Sequence, residues 1–196
     1  ASDVYKRQTL LAENNIGYQN LVELVSKAYT EGYYYKPRID YELLDQHHDG
    51  LIALSGCLGG ELAQHLAPDG SVEEGNTSNE RSFEKALDIS KKYQSIFGKE
   101  NYFIEIHNHG IKQQLDILDD LVEIAKIIDA PLVAANDSHY VEENGAEAHD
   151  ALLCVQTNRT LDDESRFRFD GSGYYVKSAE EMRKLFPEDK YPGACD

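Results

Sequence analysis

Apolar side chains recur at Ile16, Leu21, Leu24, Val25 and Ala28, the spacing of one helix face between residues 14 and 31. Gly32 stands where a helix C-terminus wants a glycine, and "YYYKPRID" makes a rigid turn around Pro37. A short helix is predicted over "YELLDQHH", closed by the Asp49-Gly50 turn signal. "LIALSG" then reads as a short buried strand, and "LGGELAQHL" as a short helix after it. "ERSFEKALDISKKYQSIF" gathers Phe83, Ala86, Leu87, Ser90 and Tyr93 on one side, and Gly98 stops it. "YFIEI" is the next strand. "KQQLDILDDLVEIAKIIDA" is an amphipathic helix with Leu115, Leu118, Val122, Ala125 and Ile128 in register. "PLVAAN" is the third strand.

Strands alternating with helices across short connections imply an α/β fold of parallel βαβ units with right-handed crossovers. Continuously apolar strands suit a sheet covered on both faces. A barrel and an open doubly wound sheet both satisfy this pattern. Residues 67–79 form a polar, Gly-containing loop. After His149 the character changes. "HDALLCVQTNRTLDD" starts helical and ends polar, "YYVKS" is strand-like, and Ser178 with Glu181 makes a capping signature before "EEMRKLF". Residues 1–8 show neither apolar period nor cap, so we expect a non-native or disordered leader there and a start of the fold at Thr9.

Composition narrows the class. The 196 residues are enough for a real core. No apolar run approaches the roughly 18 residues of a membrane span, and no signal peptide is visible. Cys57, Cys154 and Cys195 are odd in number and far apart, which fits a reducing cytoplasm better than a disulfide framework. With 36 acids against 19 bases, the net charge of −17 argues against a broad basic nucleic-acid surface on this segment.

The candidate chemistry lies at the strand ends. "LIALSG" runs into Cys57, "YFIEI" into His107-Asn108-His109, and "LVAAN" into Asp137-Ser138-His139. In parallel α/β folds the carboxyl ends of strands collect at one face, where sites are built. Residues two apart on extended chain point the same way, so Asp137 and His139 can present a carboxylate and an imidazole together, as can His107 and His109. Thiolate, imidazole and carboxylate suit Zn²⁺, Mn²⁺ or Fe. Each motif alone is a common turn or core feature; their coincidence at three successive strand ends carries the weight. Glu105 either faces this site or pairs with a neighbouring strand. His47, His48 and His65 are expected at the surface. No P-loop, dinucleotide fingerprint or GxSxG elbow occurs.

"GYYYKPRID", "LIALSGCLGGE", "FIEIHNHG", "LVAANDSHY", "AHDALLCVQT" and "YYVKSAEEM" together strongly resemble the polymerase-and-histidinol-phosphatase (PHP) domain of bacterial DNA polymerase III alpha subunits, in order from about Thr9 to the end. The resemblance implies a distorted (β/α)7 barrel with a trinuclear metal centre, of which residues 9–150 would be the second part. Residues 151–196 would close the domain and lead toward the polymerase core. It also implies that Cys57, His109, Asp137 and His139 are metal ligands. Glu105, His107, Lys36 and Arg38 are further candidates to line the site, with Lys36 and Arg38 matching the YKPR turn, where a structural role is favoured over catalysis. The HxH motif and further acids of the first strands are not in this sequence. The palm carboxylates that use Mg²⁺ would lie downstream, so this segment alone is not expected to polymerise DNA.

Three functions compete. The parent would extend a DNA primer-template with dNTPs, alongside a sliding clamp and a proofreading exonuclease, and its PHP part would be a metal-dependent phosphoesterase, with 3′–5′ proofreading as one activity. A free-standing PHP phosphatase is the second, and a structural module that docks an exonuclease is the third. The tail "FRFDGSGYYVKSAEEMRKLFPE" favours the first, since a small phosphatase has no evident use for it.

Overall fold

The computed structural model describes residues 7–67, 81–169 and 173–196. Most of the leader (residues 1–6), the polar loop from residue 68 and residues 170–172 of the tail lie outside the described residues.

A four-stranded sheet runs in the order β1 (Thr9–Ala12), β2 (Leu51–Leu54), β3 (Tyr102–Ile106), β4 (Leu132–Ala134). The three strands read from sequence are parallel, with Leu54 opposite Phe103 and Ile106 opposite Ala134. β1 is an addition that corrects the all-parallel reading: it lies antiparallel on β2, Thr9 opposite Leu54. Its four residues are too short to show a period, and none is fully buried. The Arg7 amide donates to the Gly59 carbonyl at 3.0 Å, so the chain is already tied to the β2 turn before β1 begins.

Helices α1 (Asn15–Thr30) and α2 (Tyr41–Gln46) fill the β1–β2 connection. Helices α3 (Glu61–Leu66) and α4 (Phe83–Phe97) fill β2–β3, and α5 (Lys112–Ile128) fills β3–β4. Each long helix starts or stops for a local reason. The Asn14 side chain accepts from the Gly17 amide, Ser82 caps α4, and Gly98 ends α4 at φ +84°, a conformation that suits glycine. Asp129 ends α5 in the left-handed region.

The core lies between the sheet and α3, α4 and α5, with Ala53, Tyr102, Ile104 and Ile106 fully buried against Leu62, Phe97, Leu118 and Ile124. Three helix readings need correction. Ile16 and Val25 are exposed, because Gly17, Leu24 and Ala28 are the face that α1 buries. Leu115 is exposed, and Gln114 and Ile117 take its place in the buried face of α5. His47, His48 and His65 are half-buried rather than at the surface.

Helices α6 (Ala146–Thr157) and α7 (Ala179–Leu185) follow the sheet. Ser178 and Glu181 form the full capping box at α7. "YYVKS" is not a strand: one parallel bridge, Tyr140 to Tyr175, is all that forms. The Asn136 side chain takes the Tyr175 carbonyl at 2.6 Å, which removes the acceptor a growing ladder would use. No helix among the described residues is long and apolar enough to cross a membrane.

Candidate functional site

β3 delivers the densest group. Glu105 turns toward the strand end and binds there: its carboxylate accepts from the Gly56 amide at 3.1 Å and lies 2.9 Å from His107 Nε2. Its own amide donates to Ser55 Oγ, so one residue ties β3 to the end of β2 twice. His107 is 9% exposed, and its Nδ1 is buried with no hydrogen-bond partner among the described residues. Cys57, a free and half-buried thiol, shares a cavity of about 10 Å³ with Glu105, His107 and Gln114, the scale of a single water.

His109 places its ring 5.8 Å from that of His107, as their i, i+2 spacing allows. Its amide donates to Gln114 Oε1 at 2.8 Å, and its ring stacks on Tyr174 with centroids 4.7 Å apart and planes at 4°. The Asp137 amide donates to His109 Nε2 at 3.3 Å. That makes Nε2 an acceptor; Nδ1 faces the Gln114 amide, 3.1 Å from its Nε2 and 3.3 Å from its Oε1. Burial, followed by the nearby His107, holds the His109 pKa below the ordinary imidazole value, which keeps the ring neutral as a metal ligand must be.

Asp137 and His139 meet as their spacing requires, Oδ1 to Nε2 at 3.2 Å, with both side chains partly open to solvent. Their backbone is held from outside the sheet. The amides of His139 and Tyr140 donate to the Tyr174 carbonyl, and Lys177 Nζ donates to Asn136 Oδ1 at 3.0 Å. Desolvation lowers the Lys177 pKa.

Lys36 and Arg38 occupy the turn after α1. Arg38 donates to the Tyr34 carbonyl at 2.8 Å, lies over the Tyr34 ring, and lines a separate cavity with Lys27, Glu31 and Asp40. These are turn-holding contacts.

The donors thus fall into two neighbourhoods joined through His109 and the Asp137 amide. Among the described residues, no group of three or more His, Cys, Asp or Glu side chains is arranged to hold a metal ion. Taken alone, they do not fit a closed metal centre. Sequence reasoning missed Gln114, Tyr174, Lys177 and the ring of His149, which lies 5.3 Å from that of His139. His149 lies near the start of α6, and it and the others act across contacts that no local pattern shows.

The PHP domain family matches residues 2–109. DNA polymerase III subunit alpha of Saccharopolyspora erythraea is 44% identical over 192 residues, 98% of this chain and 15% of that protein. The Thermus aquaticus subunit is 46% identical over 191 residues, 95% of this chain and 14% of that protein. That of Mycobacterium tuberculosis strain H37Rv is 42% identical over 196 residues, 100% of this chain and 16% of that protein. The chain therefore spans about 15% of the length of the relatives it matches. Matched by the family over more than half of its residues, on a mixed α/β sheet with flanking helices, the chain belongs to the PHP domain family.

Proposed function

We propose that the chain is the PHP-domain segment of a bacterial replicative DNA polymerase III alpha subunit. The carrying observation is identity of 44–46% to alpha subunits across nearly the whole chain, including the stretch after residue 109 that the family match leaves out. The parent would extend a DNA primer-template with dNTPs and Mg²⁺ in the bacterial cytoplasm, in company with a sliding clamp and a proofreading exonuclease. Extending the nucleotide sequence beyond the codon for Asp196 tests this. A long continuation with paired palm aspartates is expected, and a stop codon followed by no polymerase sequence would refute it.

Within that parent, Cys57, His109, Asp137 and His139 are proposed donors to a Zn, Mn or Fe centre completed by residues outside this chain. Glu105 and His107 would line it, and the reaction served would be phosphodiester hydrolysis at a 3′ end. The paired Asp137 and His139 and the neutral His109 ring support this, His109 Nε2 exchanging the Asp137 amide for the metal on binding. A second reading, a module kept for stability and for docking an exonuclease, draws on the lack of a three-donor group among the described residues. Primer extension, 3′-end hydrolysis and melting temperature, measured on one preparation of parent and its Asp137→Asn variant, separate the two. The first reading expects hydrolysis to fall by about 100-fold or more while extension falls far less. The second expects no hydrolysis in the unaltered parent.

A further inference from the structure

Beside the Asp137–His139 pair lies a cavity of about 320 Å³ that the donor set does not use. One wall is a face of α6, with His149, Asp150 and Leu153 at the i, i+1 and i+4 positions that bracket one turn. Arg168, Phe169 and Tyr140 complete the lining. Arg166, two residues before Arg168, ties that segment to α6: its two Nη atoms bind the two carboxylate oxygens of Asp150 at 2.5 Å. That pairing neutralises the Asp150 carboxylate, leaving Glu147 as the acid of the lining that the ion pair does not engage.

The aromatic groups are continuous with the candidate site. The Phe169 ring lies 4.5 Å from that of His139 and 5.1 Å from that of His149, and His149 is 5.5 Å from Tyr140. Arg168 is exposed, and among the described residues its one hydrogen bond is to the Leu161 carbonyl, from a single Nη. Flat rings beside an available guanidinium suit a nucleobase and its phosphate. The volume matches the low end of small-ligand pockets, about 300 Å³.

We propose that this cavity receives the terminal nucleotide of a single-stranded DNA end, its base against Phe169 and His149 and its phosphate toward Arg168. The inference rests on the reading of the chain as a phosphodiester-handling PHP segment. The test uses the full-length polypeptide in EDTA and a deoxythymidine tetranucleotide whose 3′ residue is 5-iodo-deoxyuridine, which photo-crosslinks to aromatic rings it touches. Peptide mapping is expected to place the crosslink on Tyr140, His149 or Phe169. Yield there should fall about tenfold in Phe169→Leu, which keeps apolar bulk without the ring, and in the surface variant Arg168→Gln. Crosslinking confined to other peptides, or an undiminished yield in both variants at unchanged melting temperature, overturns the proposal. Asp137→Asn should retain the crosslink. Crosslinking without hydrolysis in the unaltered protein supports the cavity and refutes the hydrolytic reading; hydrolysis without this crosslink does the reverse.

Discussion

Replacing Gly17 by alanine should help on propensity alone, since Ala in a helix is about 1 kcal/mol better than Gly. The packing says otherwise. A Cβ at Gly17 would stand 1.8 Å from the Gly50 carbonyl oxygen and 2.4 Å from its carbon, where real Cβ contacts do not fall below 3.0 Å. One backbone must therefore retreat from the other by more than an ångström (about 1.2 Å from those two distances). Three hydrogen bonds cross or adjoin that contact: Glu13 amide to Gly50 carbonyl at 2.9 Å, Asn20 side chain to Asp49 carbonyl at 2.8 Å, and Gly17 amide to Asn14 Oδ1 at 3.0 Å. At about 1 kcal/mol each, their loss outweighs the propensity gain, for a net destabilisation of about 2 kcal/mol. The turn at Gly50 leads directly into β2, so the opening should spread to the strand that ends at Cys57. Hydrogen exchange of peptides covering α1 and β2 in the full-length polypeptide should accelerate about 30-fold in Gly17→Ala, at about 1.4 kcal/mol per decade. Exchange that is unchanged or slower would show that the α1–Gly50 contact does not limit local stability.

Asp137→Asn combined with His139→Ala should lower divalent metal bound to the full-length polypeptide, and equal metal by elemental analysis after desalting would remove the pair from the site. Glu181 is held at about 2, first by the Tyr175 hydroxyl and then by Ser178. Because this native value is depressed, the contact stabilises above the ordinary value of 4.5 and is lost as pH falls toward 2, so exchange in α7 should quicken across that window; in Glu181→Gln it should be fast already at neutral pH and insensitive to acid. Tyr18, Val22, Val25 and Tyr29 leave a second apolar stripe exposed along α1, so the isolated 196-residue chain should self-associate in light scattering. Val22→Lys with Val25→Glu should yield more monomer, and a monomeric unaltered chain would count against this.

Much of the sheet was legible because β2 and β4 are unbroken apolar runs, and β3 is apolar but for Glu105, each ending in abrupt polarity. The Asp137–His139 contact was legible for the same local reason, two residues apart on extended chain. α1 misled the reading: it carries apolar side chains on both faces, and periodicity cannot say that Gly17 rather than Ile16 faces inward. That choice is made by the Gly50 carbonyl, which only a glycine admits. The Glu105–His107 contact was within reach of the same i, i+2 rule, but whether Glu105 faced the strand end depended on the Gly56 amide, 49 positions away. Tyr174 stacking on His109 spans the α5–α6 region and has no sequence signature at all.

The hold of residues 173–177 on the Asn136–Tyr140 backbone sets a timetable for biosynthesis. β2, β3 and β4 are all synthesised before α6, and their pairing with one another needs nothing that comes after it. The Asp137–His139 loop then still lacks the Tyr174 carbonyl that takes two of its amides and the Lys177 amine that takes the Asn136 side chain. It gains them only after some forty further residues have emerged. Until then the nascent chain carries the Asp137–His139 loop without the contacts that set its backbone. A premature stop before Gly173 would leave that immature state as the end product.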